Sequence, residues 1–494
     1  MVNQLFLLVT ILLLNCLSIY SQELRCVFTG SARNYVCQLT IVNPNGYNNF
    51  TQISGTHLPG MTNEDVVRVD RNSFESISSN IPSIICDTFM NTALIDFSFI
   101  GVEKIHDYSF KSCKKLTFIN VNGNNITEVD ENAFIENTEL EFLELRINEL
   151  TTLPENVFTS QHNLIRLRLE HTNIVDLPEN IFAPLKNLSY LGLEGNLIKD
   201  LNIKWFENFN NLSFLILSYN RIEEIPENAF LPLSNLVWLG LSMNKLSNLT
   251  TEMFEQFVNL EELWLHENEL EDLPINFFNS MTSLQGLELA INKFSNLRPE
   301  WFKSMSNLQY LGLSNNEIKE LTADVFTPLK NLEILSLFQN KIEDLPSNIF
   351  TSMTKLGGIT LDANNLRVIN SNWFGVSENF WALTAAQNQI DAFDERFIDN
   401  TGLQLLDMTG NICADFAIFD ESVLRQPMRN ALQKCFANFE DSNPGCVDGN
   451  LDERVCTIED EVQHQHAMIK NLQEDVKELQ KLVEELMNCP CSRK

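Results

Sequence analysis

Three columns of residues run through this chain in phase, returning every 24 positions. An apolar residue opens each unit: Leu116, Leu140, Leu164, Leu188, Leu212, Leu236, Leu260, Leu284, Leu308, Leu332, Leu356 and Phe380. Asn recurs eight places later, from Asn124 to Asn388, with Thr172 as the exception. Phe recurs beyond it, from Phe134 to Phe374. The stretch Leu236 to Leu260 shows the unit, L-x-x-L-x-L-x-x-N-x-L followed by Phe254. Leu239 and Leu241 alternate as in a short strand with one inward face. Asn244 sits where the chain must turn. Its amide can bond backbone groups of its own and the neighbouring turn that would otherwise stay unpaired. At Thr172 that ladder is expected to be weaker. One unit cannot bury its own apolar face, so units must stack. About 13 coils are expected, one per repeat, at ~4.8 Å between neighbouring strands.

Charge narrows the partners. The net charge of −32 argues against nucleic acid and against anionic membranes, because phosphate binding needs a basic surface. Acidic residues such as Glu223, Glu224, Glu343 and Asp344 read as a soluble solenoid surface. The apolar run Leu5 to Leu14 is short and N-terminal, so residues 1–21 read as a signal peptide. No later apolar run approaches membrane length, so no membrane anchor is expected and the protein is expected to be secreted and extracellular.

Cysteine placement agrees. Beyond Cys16, ten remain, and none lies between Cys113 and Cys413. Cysteines clustered at the ends of a repeat array suit disulfides in an oxidising compartment. Cys26 and Cys37 bracket two β-prone runs and read as a stapled hairpin. Cys86 and Cys113 occupy comparable places in adjacent coils. Cys413 with Cys435 and Cys446 with Cys456 is the simplest further pairing. A zinc site would need a coherent Cys/His set, which neither Cys489-Pro490-Cys491 nor His464 and His466 supplies. No metal or cofactor is expected. The sequons at Asn49, Asn125, Asn187, Asn211 and Asn248 are candidate glycosylation sites.

In chain order, residues 22–65 read as an N-terminal cap whose hairpin adds a strand beside the first repeat. Residues 66–115 are irregular repeats, in which Leu94, Phe97 and Phe99 match the strand columns but Leu94 lies 22 residues before Leu116. The regular array is 116–411, its last coil coming one residue early. Residues 412–454 form a Cys-containing cap, where Phe416, Phe419, Val423, Leu424 and Leu432 suit a helix or two over the end of the core. Asp448 to Asp452 with Glu459 lacks the glycine of a calcium loop and reads as a polar turn.

Residues 455–487 change period. Val455, Val462, Ile469, Val476 and Val483 stand seven apart, as do Ile458, Gln465, Leu472, Leu479 and Leu486. β-Branched residues at a and mostly Leu at d describe a coiled coil that favours parallel dimers. The tail 488–494 carries Cys489 and Cys491, placed for interchain disulfides.

The three columns resemble extracellular leucine-rich-repeat proteins over about two-thirds of the chain. That resemblance implies an α/β solenoid, a horseshoe with a parallel concave sheet. The order of leader, paired-Cys cap, repeats, paired-Cys segment and coiled coil resembles secreted insect leucine-rich-repeat immune proteins. Those pair through their C-terminal regions and carry complement-like factors to pathogen surfaces, which implies an immune role here.

Residues flanking the buried strand positions should face outward. They bring Phe118, Phe142, Arg166, Tyr190, Phe214, Trp238 and Glu262 into one column, with Trp264, His266 and Tyr219 nearby. Exposed aromatics on adjacent strands suit a protein contact, or stiffen the sheet by stacking. Arg146, Arg166 and Arg168 cluster beside them, with Glu144, Glu170 and His171 interleaved. They would receive an acidic group, or pair with those glutamates. No G-x-S-x-G, H-E-x-x-H or phosphate loop is present, and no catalytic residue is assigned. The expected function is non-enzymatic recognition of an extracellular protein or glycan. The alternative is a matrix or adhesion scaffold, or a secreted receptor ligand. The coiled coil would pair the chain with itself or a related chain.

Overall fold

A computed structural model describes residues 24–31, 34–41, 53–71, 80–418 and 425–442. The leader, Asn49, Phe419, Val423, Leu424, Cys446, Cys456, the heptads, Cys489 and Cys491 lie outside the described residues. The chain forms two compact units, Met1–Glu288 and Leu289–Lys494.

The first unit begins with an antiparallel hairpin, Leu24–Ser31 with Asn34–Ile41, closed by the disulfide Cys26–Cys37. Its second strand runs parallel to Val66–Arg71, so the hairpin does extend the sheet of the repeats. Parallel pairing then continues through Leu94–Asp96, Phe118–Asn120, Phe142–Glu144, Arg166–Arg168, Tyr190–Gly192, Phe214–Ile216, Trp238–Gly240, Glu262–Trp264 and Gly286–Glu288. From Leu94–Asp96 onward the partners are 24 residues apart, as the columns require. Leu239, Leu241 and Phe254 are fully buried. The far-side rings contact one another from coil to coil, with Phe206–Phe230 centroids 5.5 Å apart and Phe230–Phe254 6.2 Å.

Each turn Asn bonds as its column demands. Asn244 Nδ2 donates to Leu217 O and Leu241 O, both at 3.0 Å, and its Oδ1 accepts from Ile222 N–H at 3.0 Å. Thr172 instead has a single hydroxyl proton, with two acceptors in reach, Asn196 Oδ1 at 2.7 Å and Leu169 O at 3.1 Å. Leu150 N–H, standing where Ile126 and Ile174 donate to an Asn, meets no amide oxygen there.

Two details differ from the sequence reading. Leu94 does not open a coil. It pairs with Phe118, which places the buried Thr92 in the opening position and restores the 24-residue interval to Leu116. Thr92 tolerates burial because its hydroxyl donates to Val66 O at 3.3 Å. Phe99 consequently leaves the strand, and its exposed ring lies over Gly123. The second detail is a backbone state. Just before the turn position, Ile147, His171, Tyr219, Met243 and Glu267 all have φ of 53–56°. Cys86 and Cys113 form a disulfide with Cα atoms 4.9 Å apart.

The second unit repeats the architecture. Tyr310–Gly312, Ile334–Ser336, Gly358–Thr360, Ala382–Thr384 and Leu405–Asp407 pair in parallel, the last step being one residue short. Asn411 still completes its rung by accepting from Ile390 N–H. Phe416 precedes a return strand, Ala417–Ile418, antiparallel to the last repeat strand, and so lies outside the cap helix expected there. The helix is Arg425–Ser442, which buries Met428, Leu432, Cys435, Phe436 and Phe439. The disulfide Cys413–Cys435 fastens it to the last coil.

Candidate functional site

The sheet of the first unit presents one face away from the core, and its side chains come from alternate strand positions. In-register pairing puts Phe118, Phe142, Arg166, Tyr190, Phe214 and Trp238 side by side on six neighbouring strands. Their rings approach one another: Phe118–Phe142 centroids are 6.2 Å apart and Tyr190–Phe214 6.1 Å. Trp238 and Trp264, from neighbouring strands, meet at 4.8 Å. Phe214 and Trp264 are each 37% exposed. His266 lies 5.9 Å from Trp264 and shares a 2.8 Å hydrogen bond between its Nδ1 and Ser242 Oγ. Tyr219 stands apart in the left-handed turn at the sheet's edge, 59% exposed.

The arginines divide. Arg168 Nε donates to Glu170 at 2.9 Å, and its guanidinium reaches Glu144 at 3.6 Å. Arg146 faces the other oxygen of Glu170 at 3.7 Å. Tyr190 also donates to Glu170, at 3.0 Å. Glu170 is only 2% exposed, so these three groups converge on a buried carboxylate. Burial of that kind is sustained only where the charge is paired and hydrogen-bonded. Glycine makes the room: a Cβ on Gly192 would overlap the Glu170 carboxylate. Burial, and then the adjacent Glu170 charge, pushes the Tyr190 phenol up to about 12. Arg166 makes no ion pair among the described residues. Its guanidinium lies over Phe142 at 5.5 Å and over Tyr190 at 5.6 Å, in cation–π range.

The sequence had singled out these arginines and aromatics. It did not disclose Glu170 as the hub, nor the glycine that admits it. The available signal was Gly192 standing at an outward strand position, where glycine otherwise weakens a strand.

The sequons Asn125, Asn187, Asn211 and Asn248 are exposed and lie off this face. Asn187 and Asn211 donate to His162 O and Lys186 O in the preceding coils. Among the described residues, no group of three or more His, Cys, Asp or Glu is arranged to hold a metal ion. None of their helices is long and apolar enough to cross a membrane.

Residues 192–246 and 282–342 match the leucine rich repeat family, and residues 82–213 match the BspA type leucine rich repeat region. No curated protein sequence matches the chain. Among solved structures, a leucine-rich-repeat protein of Leptospira interrogans is similar, at 25% identity and a TM-score of 0.62. That similarity covers 76% of this chain and 95% of the other. Toll in the glycosylated Drosophila Toll–Spatzle complex is 21% identical, with a TM-score of 0.64; 78% of this chain is covered, but only 51% of Toll. The mosquito LRIM1/APL1C complex is 17% identical, with a TM-score of 0.59, covering 95% of this chain and 81% of that one.

Proposed function

From the premise that this chain is a leucine-rich-repeat solenoid, we propose that it is a secreted, non-enzymatic recognition protein that binds an extracellular protein or glycan through the open face of its sheet. The observation that carries this is the row of part-exposed rings from Phe118 to Trp238, extended by Trp264 and interrupted only by a stacked Arg166. Aromatic side chains and arginine dominate the energetics of protein contacts. Here they are fixed by their neighbours before any partner arrives, which lowers the ordering cost of binding.

Secretion is supported by three disulfides among the described residues and by the apolar leader. Glycans on Asn125, Asn187, Asn211 and Asn248 would leave the ring row uncovered. Toll with Spatzle and LRIM1 with APL1C are complexes, and a role in innate immunity for this chain is part of the proposal. Pairing with a second chain is assigned to the heptads of 455–487, with Cys489 and Cys491 as the covalent link.

The test compares native-source protein with its Trp238→Ala and Phe214→Ala variants and identifies by mass spectrometry what co-purifies with each. A partner held by the wild type and lost from both variants supports the reading. Unaltered retention of every partner removes the ring row as a binding surface.

A further inference from the structure

A second asparagine ladder runs beside the N-terminal ends of the strands in the first unit, one residue before the opening leucines. Asn211 Nδ2 donates to Lys186 O at 3.1 Å, Asn235 Nδ2 to Asn210 O at 2.7 Å and Asn259 Nδ2 to Ser234 O at 3.0 Å. Ser283 holds the same place and donates its hydroxyl to Val258 O at 2.9 Å. A backbone carbonyl can only accept, so each amide must turn its nitrogen to the preceding coil. The Oδ1 atoms of Asn211, Asn235 and Asn259 are left as acceptors on exposed side chains, with no hydrogen-bond partner among the described residues.

These side chains line one open groove of about 540 Å³, together with Ser213, Val237 and Glu261. Val237 N–H donates to Ser213 O and Glu261 N–H to Val237 O, both at 2.9 Å, which keeps the lining in register from coil to coil. Among the described residues no Lys or Arg lines the groove, and Glu261 is its one charged group. A wall that accepts hydrogen bonds and carries little charge fits a neutral ligand rich in hydroxyl and amide donors, which is the chemistry of a glycan.

The groove begins at a sequon. Asn211-Leu212-Ser213 places both the nitrogen to be glycosylated and the sequon hydroxyl in its lining. Transfer from a lipid-pyrophosphate oligosaccharide breaks the sugar C1–O bond, forms Nδ2–C1 and releases one Nδ2 proton with the pyrophosphate. The second Nδ2 proton can still donate to Lys186 O, so the ladder that holds Asn211 also holds the root of the glycan. From there β-1,4-linked sugars advance one ring per step, close to the ~4.8 Å between strands, so successive sugars meet successive coils.

Resting on the reading of this chain as a secreted glycoprotein, we propose that Asn211 carries a glycan whose first sugars lie along this groove. Their hydroxyl and amide groups donate to Asn235 Oδ1, Asn259 Oδ1 and the Glu261 carboxylate. Val237 immediately precedes Trp238, so the docked glycan borders the ring row without covering it.

The experiment uses the full chain secreted from eukaryotic cells. Mass spectrometry reads occupancy at each sequon, and then release of each glycan by peptide-N-glycosidase without denaturant. Release at Asn211 should be about tenfold slower than at Asn125 and Asn248, and equal to theirs after denaturation. Crowding at the root alone would slow release too. The variant Asn235→Ser/Asn259→Ser/Glu261→Ala therefore keeps the root and can bond the preceding coils as Ser283 does, but withdraws the amide and carboxylate oxygens. In it, release at Asn211 should approach that at Asn248, with a thermal melt confirming the fold. Slow release persisting in the folded variant, or equal release at the three sites of the wild type, overturns the proposal. So does equal binding of a soluble N-acetylglucosamine oligomer to the wild type and to Ser213→Ala, which lacks the sequon, because the groove then serves an outside glycan. An unoccupied Asn211 beside occupied Asn125 and Asn248 removes this inference alone, whereas no glycan at any sequon removes the glycoprotein reading with it.

Discussion

Thr172 marks the rung where the Asn ladder fails. Its one hydroxyl proton is directed to Leu169 O or Asn196 Oδ1, so none is left to donate to the preceding coil as Asn148 Nδ2 does to Val121 O. Thr172→Asn should restore that bond and add about 1 kcal/mol, read as a later urea midpoint. An unchanged midpoint would show the rung to be satisfied otherwise. Tyr190 gives a second residue-level prediction. Its raised pKa means that the folded state holds the phenolic proton more tightly than the unfolded chain does. The associated stability is complete below pH 10 and is lost as pH rises toward about 12. Absorbance titration at alkaline pH should show one late tyrosine, and Glu170→Gln, which removes the nearby charge, should bring it earlier. The asparagines were legible because one side chain alone satisfies three backbone groups at a fixed place. The left-handed residues before them were not. Ile147, His171, Met243 and Glu267 share a φ but no chemistry, and only the glycines at the same place, Gly123, Gly195 and Gly410, hinted at it. Glu170 was hidden for another reason: its burial depends on Gly192 in the next coil, a relation that no single column displays.

At the scale of the element, each coil is held by what it places between its neighbours. Leu239 and Phe254 are fully enclosed on both sides, so replacing either with Ala should cost roughly 2–5 kcal/mol. Trp238, on the open face, should cost much less. Chemical denaturation of the three variants decides this, and a Trp238→Ala loss matching that of Phe254→Ala would make the ring row structural stacking rather than a contact surface. The caps were legible where covalent and β-propensity signals coincided, as in the Cys26–Cys37 hairpin. They were less legible where one polar residue took an apolar role. Thr92 reads as a surface residue, so the irregular coil seemed displaced by two positions until its hydroxyl found Val66 O. Phe416 misled in the opposite direction. An apolar residue between a disulfide cysteine and a helix suggested more helix, but the last strand offers an open edge, and the chain turns back along it.

For the whole molecule the question is how many chains act together. The heptad positions of 455–487 end at Leu486, and Cys489 follows before Pro490, which cannot continue a helix. In a parallel pair both copies of Cys489 and Cys491 arrive at the same end. A disulfide needs Cα atoms within about 7 Å of one another, which a parallel two-stranded seam provides. A bond between Cys489 and Cys491 of one chain would close a tight, strained loop, so bonding between chains is favoured in an oxidising compartment. Charge opposes association, since two chains of −32 repel, but beyond ~8 Å salt screens that repulsion while a covalent bond is indifferent to it. The expected product is a covalent dimer, with itself or with a related leucine-rich-repeat chain. Secreted protein on a denaturing gel without reductant should run at twice the monomer mass if paired with itself, and at the summed mass if paired with another chain. Reductant, or the double variant Cys489→Ser/Cys491→Ser, should return it to monomer. The double variant should still elute as a dimer on gel filtration, because the heptads hold it without the bond. A wild-type monomer band without reductant excludes the covalent link, and monomer elution of the wild type as well excludes the coiled coil.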